Sequence, residues 1–385
     1  RYDIGFDDRG SLIAVDATLS ARCGFSADLS GPVTDRSLFH SDNCYFIPNV
    51  RLVSKPLKTN TVSNTAFRGF GGPQGVLVAE RIIQEVAYAL GKDTLEIRKI
   101  NLYGNGKRSI TPYHQKVKDN ISSRLICELV DSSNYESRRE KILKYNKQNI
   151  FLKKGIALTP VKFGISFTAT WFNQAGALLH IYTDGTILLN HGGTEMGQGL
   201  NTKVRQIVAD KLGVSVSRIK VTATNTSKVP NTSATAASSG TDLNGMAVLD
   251  AAKKIIKRLK IFGAEIYNVS TKDIFFKNDY VHYGKNKIWF SDFVEKAYRA
   301  RIKLWDSGFY KTPKIHWNRE LGKGRPFYYY SYGAAVTEVT LDTLTGEYVF
   351  DRVDILHDVG QSINTAVDMG QVEGGFIQGV GWLTT

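Results

Sequence analysis

The chain has 385 residues, 42% of them hydrophobic, and a formal charge of +14 at pH 7. That length and apolar content suffice for two or three domains with a sizeable core, which excludes a disordered or fibrous chain. The basic excess is scattered, as at Lys253, Lys254, Lys257, Arg258 and Lys260, with no aromatic-interleaved stripe, so nucleic acid is excluded as the expected partner.

The chain opens on a hairpin: Tyr2, Ile4 and Phe6 alternate, Asp8-Arg9-Gly10 turns, and Leu12 to Thr18 returns. Residues 22–66 read as mixed and loop-like, with Pro32 and Pro48 as breaks. Ala79, Ile82, Ile83, Val86 and Leu90 repeat at helical spacing and Gly91 supplies the stop. Asp93 with Glu96 three residues on predicts the cap of a short helix. Residues 104–115 read as loop and 120–148 as a charged helical stretch. A second block begins at Lys153, and Asp184-Gly185 between apolar arms predicts a hairpin within 176–190.

Val204, Ile207, Val208 and Leu212 predict a helix, Ile219 to Thr224 a strand, and Leu243 to Ile261 a basic amphipathic helix. Residues 265–330 fit neither period clearly. A hairpin from Tyr332 to Leu341 and Tyr348 to Ile355 follows, then a glycine-rich helix start at 370–375. Hairpins dominate over βαβ units, which predicts an α+β fold of two lobes, 1–150 and 151–385. The chain starts at Arg1 and stops within a glycine-spaced apolar pattern, so it is expected to be an interior piece of a longer polypeptide.

Two glycine loops stand out, 67–75 and 191–200. Glycine leaves backbone N–H groups unshielded, so a loop of this kind before a helix suits an anion or cofactor, and a pair of them suggests a ligand held between two lobes. Phosphate-binding P-loop, zinc-protease and nucleophile-elbow motifs are missing, and the seven histidines do not pair at ligand spacing. His191 and His357 are expected to be structural. Cys23, Cys44 and Cys127 are too few and too scattered for a disulfide framework or a metal cluster, which fits a reducing, cytoplasmic setting. No apolar run is long enough to span a bilayer, and no membrane partner is expected.

Four stretches together, Phe67-Arg68-Gly69-Phe70-Gly71-Gly72-Pro73-Gln74, His191 to Gly199, Pro230 to Ser238, and Asp358-Val359-Gly360 followed by Gly370-Gln371-Val372-Glu373-Gly374, closely resemble the molybdopterin-binding portion of the xanthine dehydrogenase and aldehyde oxidase family. The resemblance covers nearly the whole chain and is greatest to the molybdenum subunit of bacterial-type members. It implies a two-lobed molybdopterin-binding fold and a molybdenum hydroxylase. In that family a glutamate acts as base, the new oxygen comes from water, hydride passes to a sulfido ligand, and electrons leave through 2Fe–2S clusters and FAD on a partner subunit or domain. NAD is the implied final acceptor, and a homo- or hetero-oligomer the implied assembly.

Residue by residue, Phe70 and Phe167 match the two phenylalanines that sandwich a flat heteroaromatic substrate, and Thr168 matches a substrate-facing hydroxyl. Arg36 matches the arginine at the far end of the purine slot, where a fixed guanidinium can take up charge developing on a distal carbonyl. Aldehyde oxidases generally lack it, so its presence implies hydroxylation of hypoxanthine to xanthine and of xanthine to urate. Ala236 and Ala237 match small residues beside the metal, and Arg68 an arginine near it, neither Arg68 nor Ala237 being a direct ligand. Gly197, Gln198, Ser238, Thr241 and Gln371 match cofactor-contacting positions. The family's base glutamate falls beyond Thr385, so Glu195 and Glu373 are read as structural and this piece alone as inactive. Oxidation of an aldehyde or of another N-heterocycle such as nicotinate, and a non-catalytic interaction subunit, are the alternatives.

Overall fold

The computed structural model describes residues 1–229 and 231–384. Pro230, which opens one of the four motifs, and Thr385 lie outside the described residues. The chain forms two compact units, one of Arg1–Thr168 with Ile315–Gly360, the other of Ala169–Lys314 with Gln361–Thr385. These limits differ from lobes of 1–150 and 151–385, because the strand after residue 150 pairs with a hairpin nearly two hundred residues further on.

The first unit begins with the expected hairpin, β1 (Tyr2–Phe6) and β2 (Leu12–Gly24), its turn held by the Asp7 carboxylate accepting from the N–H groups of Arg9 and Ser11. Residues 22–66 are not mainly loop: they hold α1 (Ser30–His40) and β3 (Asn49–Lys58), which lies parallel to β2. Gly31 and Pro32 hide α1 in the sequence, yet proline is tolerated in a first helical turn, and Pro56 is tolerated on the edge strand β3.

Next come α2 (Gly72–Leu90), α3 (Thr94–Asn101), α4 (Ser122–Ser133), α5 (Tyr135–Gln148) and β4 (Leu152–Ile165). Asp93 caps α3 by accepting from the Leu95 N–H, and Asn134, left-handed at φ 54, splits the charged stretch into α4 and α5. The core of this unit draws on β2, α2, α3, α4 and β4, with Ile82, Ile83, Val86, Ile97 and Leu158 among its buried side chains. Each such side chain contributes about 1.5–3 kcal/mol relative to exposure.

The second unit holds β5 (Gln174–Ile181), β6 (Ile187–His191), α6 (Leu200–Leu212), β7 (Ile219–Val221) and α7 (Gly240–Tyr267). Gly185, at φ 78, makes the predicted turn between β5 and β6, and α6 carries the chain to β7, which pairs parallel to β6. The ambiguous stretch becomes β8 (Ile274–Lys277), β9 (Tyr280–Tyr283), β10 (Asn286–Trp289), α8 (Phe290–Arg299) and β11 (Trp305–Lys311). Strands β8, β9 and β10 have four residues each, too few for a period to show. Strand β11 completes a sheet of order β11-β5-β6-β7, and α7 packs Ala247, Ala251, Ile255 and Leu259 into the core while Lys253, Lys254 and Lys257 face solvent.

The chain returns to the first unit as β12 (His316–Asn318), β13 (Lys323–Arg325), β14 (Tyr329–Asp342) and β15 (Tyr348–His357), with β14 between β15 and β4. It ends in the second unit with α9 (Thr365–Thr384), so Gly370 and Gly374 lie inside a helix already under way rather than at its start. Among the described residues antiparallel pairs outnumber the two parallel ones, β2 with β3 and β6 with β7, and the α+β class holds. Among the described residues no helix is long and apolar enough to cross a membrane.

Candidate active site

In the first unit Arg36 lies on α1, Phe70 on the loop whose Gly71 meets α1, and Phe167 and Thr168 just after a residue that Arg36 holds. Arg36, on that helix, is 4% exposed. Its Nη1 donates to the Ser166 carbonyl at 2.8 Å, its Nη2 donates to the Gly164 carbonyl, and its guanidinium lies 4.9 Å from the ring centres of both Phe163 and Phe327. Its Nε is buried without a partner, and no carboxylate among the described residues pairs with it. Asp35, the obvious neighbour, pairs instead with Arg319 at 2.9 Å. Burial without a counter-ion pulls the Arg36 pKa down to about 10, which still leaves it charged at pH 7. A buried cation that lacks a carboxylate is suited to a ligand on which negative charge develops.

Phe70, half-buried on the first glycine loop, has φ 53, a conformation rare for a bulky residue. Beside it Gly71, at φ 96, lies where a Cβ would run into the carbonyl of Val33 on α1. The glycines of this loop therefore let α2 start against α1, a packing role that loop composition did not reveal. Phe167 and Thr168, both half-buried, follow Ser166, whose carbonyl Arg36 holds. Arg68 is exposed on the same loop as Phe70.

His40 locks this arrangement. Its Nε2 accepts from the Gly164 N–H at 3.1 Å, so its Nδ1 carries the proton and donates to the Arg36 carbonyl at 3.1 Å. Burial, then the Arg36 and Lys162 charges, hold its pKa well below the ordinary 6.5. A folded-state pKa below the unfolded one means stability present above about pH 6.5 and lost as pH falls, at up to about 1.4 kcal/mol per pH unit per group. His191 and His357 are shifted the same way, by burial. Unfolding free energy measured from pH 8 to 5 should decline with acid, and His40→Gln should shallow that slope by about one proton; an unchanged slope would show that His40 is not the buried neutral group.

Neither His40, the two rings around Arg36, nor the buried Lys162, 3.4 Å from Asp42, is marked in the sequence as part of a site. Apart from the bond of His40 to Arg36 within α1, their partners lie more than a hundred residues away, and no local spacing signals them.

The second unit holds the predicted cofactor residues other than Arg68. In loop 191–200, Gly197 has φ 98 and open space where a Cβ would stand. Gln198 spans its own loop, its Oε1 accepting from the Met196 N–H at 2.6 Å and its Nε2 donating to the Thr194 carbonyl at 2.8 Å. Gln371, on α9, donates to the Gly197 carbonyl at 3.3 Å. The Glu195 carboxylate accepts from the N–H groups of Asn201, Gly199 and Gly197. Burial pushes its pKa up, but those bonds together outweigh burial and hold it below the usual range. Met196, on the same loop, is exposed. His191 accepts from the Gly193 N–H and meets Asn201 Oδ1 at 2.9 Å, a structural pairing.

Thr194 N–H donates to Thr235 Oγ1 at 2.8 Å and so ties this loop to the one carrying Ala236, Ala237 and Ser238. Ala237 and Ser238 are both left-handed, at φ 57 and 56, just before α7, whose first turn holds Thr241. The α7 N-terminus has no side-chain cap, and beside the carboxylate of Asp242 in its first turn its first N–H groups suit a further polar or anionic group. Thr232 Oγ1 and Asn244 Oδ1 are buried without partners beside Gly192 and Gly193.

Two models of the molybdopterin cofactor-binding domain match the chain, one over residues 1–102 and the other over 128–385. The chain belongs to the molybdopterin cofactor-binding domain family. It is similar to the xanthine dehydrogenase of Dictyostelium discoideum, 46% identical across 100% of this chain and 27% of the relative. It is also similar to the xanthine dehydrogenase/oxidase of Gallus gallus, 45% identical across 100% of this chain and 27% of the relative. Among solved structures, the aldehyde oxidoreductase of Desulfovibrio gigas superposes with a TM-score of 0.82 at 25% identity, covering 99% of this chain and 39% of that one. The chain spans about a quarter of the length of those two sequence relatives.

The second unit fits a long, polar, anionic pterin. Unsatisfied buried oxygens, an open glycine and an uncapped helix N-terminus are gathered around loops that the family models cover.

Proposed function

We propose that the protein containing this chain hydroxylates purines at a molybdenum centre, converting hypoxanthine to xanthine and xanthine to urate. The observation that carries the purine reading is Arg36, a buried cation without a carboxylate partner between two rings. Gly197, Gln198, Ala237, Ser238, Thr241 and Gln371 of the second unit would hold molybdopterin. Arg68 is assigned to the same cofactor on its motif match. Bound molybdopterin supplies a two-electron oxidation whose electrons leave through 2Fe–2S clusters and FAD on a partner subunit or domain, with NAD as final acceptor.

The chain's own residues bind and orient. Arg36 takes up the charge that spreads to a purine's distal carbonyl, which is worth most in a dry site. Phe70 and Phe167 hold the flat ring by face and edge contacts, and the Thr168 hydroxyl meets a polar edge. Ala236, in the second unit, is assigned to the substrate on its motif match alone.

The test uses the full-length protein with its electron-transfer portions, assayed for molybdenum and for oxidation of hypoxanthine and xanthine. Bound molybdenum with turnover to urate is expected. Molybdenum without purine turnover moves the substrate to an aldehyde or another N-heterocycle. No molybdenum in well-expressed protein leaves an interaction subunit. Gly197→Val enters open space but strains a backbone at φ 98, so metal content is read beside the unfolding midpoint: a folded variant that has lost most of the metal is expected, and wild-type metal content would remove Gly197 from the cofactor set.

A further inference from the structure

Both ring positions of the first unit depend on backbone that favours glycine. Phe70 itself has φ 53, and Phe167 follows Ser166, which has φ 153. Ser166 stands one residue past the ladder, since β4 and β14 pair up to Ile165 opposite Tyr329. It is 2% exposed and tightly held. The Tyr328 N–H donates to Ser166 Oγ at 3.2 Å and to the Ile165 carbonyl at 3.0 Å, while Arg36 Nη1 donates to the Ser166 carbonyl at 2.8 Å. A glycine would adopt this φ without steric cost but would leave the Tyr328 N–H with one acceptor fewer. Strained residues persist where surrounding bonds over-determine them, and they cluster where direction matters.

We propose that Ser166 is a positioning residue: its glycine-like backbone, fastened by Arg36 and by the Tyr328 N–H, sets the direction in which Phe167 and Thr168 leave β4. The inference rests on the purine reading for what those two side chains do. It makes Arg36 serve twice, as the cation that meets the substrate and as the clamp that aims the ring beside it. His40, bonded to both Arg36 and Gly164, stiffens the same clamp.

The test compares Ser166→Gly with Ser166→Ala in the full-length, cofactor-loaded protein, with KM and kcat for hypoxanthine measured separately. The same variants carrying fluorophenylalanine are followed by fluorine NMR without cofactor, the Phe167 line being assigned through Phe167→Leu. Both variants lose the Oγ that accepts from Tyr328; glycine also removes the Cβ and with it the strain, whereas alanine keeps the Cβ and the strain. The expected order is wild type, then Gly, then Ala, the reverse of side-chain similarity. Ser166→Ala should lose about ten- to a hundredfold in kcat/KM, with kcat affected as well as KM, and Ser166→Gly about threefold, because small misplacement of a reacting ring is costly. The Phe167 line should shift or broaden most in Ser166→Ala. Wild-type kinetics and an unmoved line in Ser166→Ala, alongside collapse of turnover in Phe167→Ala, would overturn this inference alone. Purine turnover surviving Phe167→Ala would overturn the substrate reading and this inference with it.

Discussion

Arg36→Met should lower kcat/KM for hypoxanthine by about 10²–10³-fold, the usual loss when one preorganised group facing developing charge is removed. Oxidation of a simple aldehyde, which has no distal carbonyl, should survive. The reason lies in the surroundings of the guanidinium. Two rings and two backbone carbonyls hold it, no carboxylate among the described residues neutralises it, and its Nε lacks a partner. Stability should change little. Methionine leaves the Gly164 and Ser166 carbonyls with one bond fewer each, at a cost of about 1–3 kcal/mol per group, and relieves a desolvated charge at a gain of similar size. Thermal unfolding read beside the kinetics separates the two effects. Equal loss of aldehyde and purine oxidation would show that Arg36 supports the fold of the site rather than the charge on its substrate.

Gly71→Ala should cost about 2–6 kcal/mol, from left-handed strain plus overpacking against backbone that has nowhere to go. At φ 96 its new Cβ would meet the Val33 carbonyl, which belongs to α1 and is fixed by the helix. That is a large part of the stability of a typical domain. Gly106→Ala is the control: φ is 62 but nothing lies within 4 Å, so about 1 kcal/mol is expected. Unfolding midpoints of the two variants decide it, and a Gly71→Ala loss no larger than that of Gly106→Ala would refute the close approach of α1 to this loop. Because the same α1 carries Arg36, displaced packing here should also weaken purine oxidation.

Strong local signals in the sequence already determined much of this protein. The opening hairpin, α2 with its glycine stop, the Asp93 cap, the Asp184-Gly185 turn and α7 each follow from periodicity or turn chemistry held within a few residues. The glycine loops and the family they belong to were equally legible, since motifs are local in the chain. Helix α1 was not, because Gly31 and Pro32 read as loop and its apolar face is weak. The four-residue strands β8, β9 and β10 were not, because they hold too few residues to show a period.

Tertiary structure alone decided what surrounds the site. Arg36 reaches across 128 and 130 residues of chain to Gly164 and Ser166, and its ring partner Phe327 comes from a segment that returns after the second unit. The burial that sets its pKa, the tautomer of His40 and the strained turn at Ser166 exist only once β4, β14 and α1 are assembled. The residue types at a site are written in the sequence, whereas their charge state and aim depend on desolvation and on partners brought together by folding.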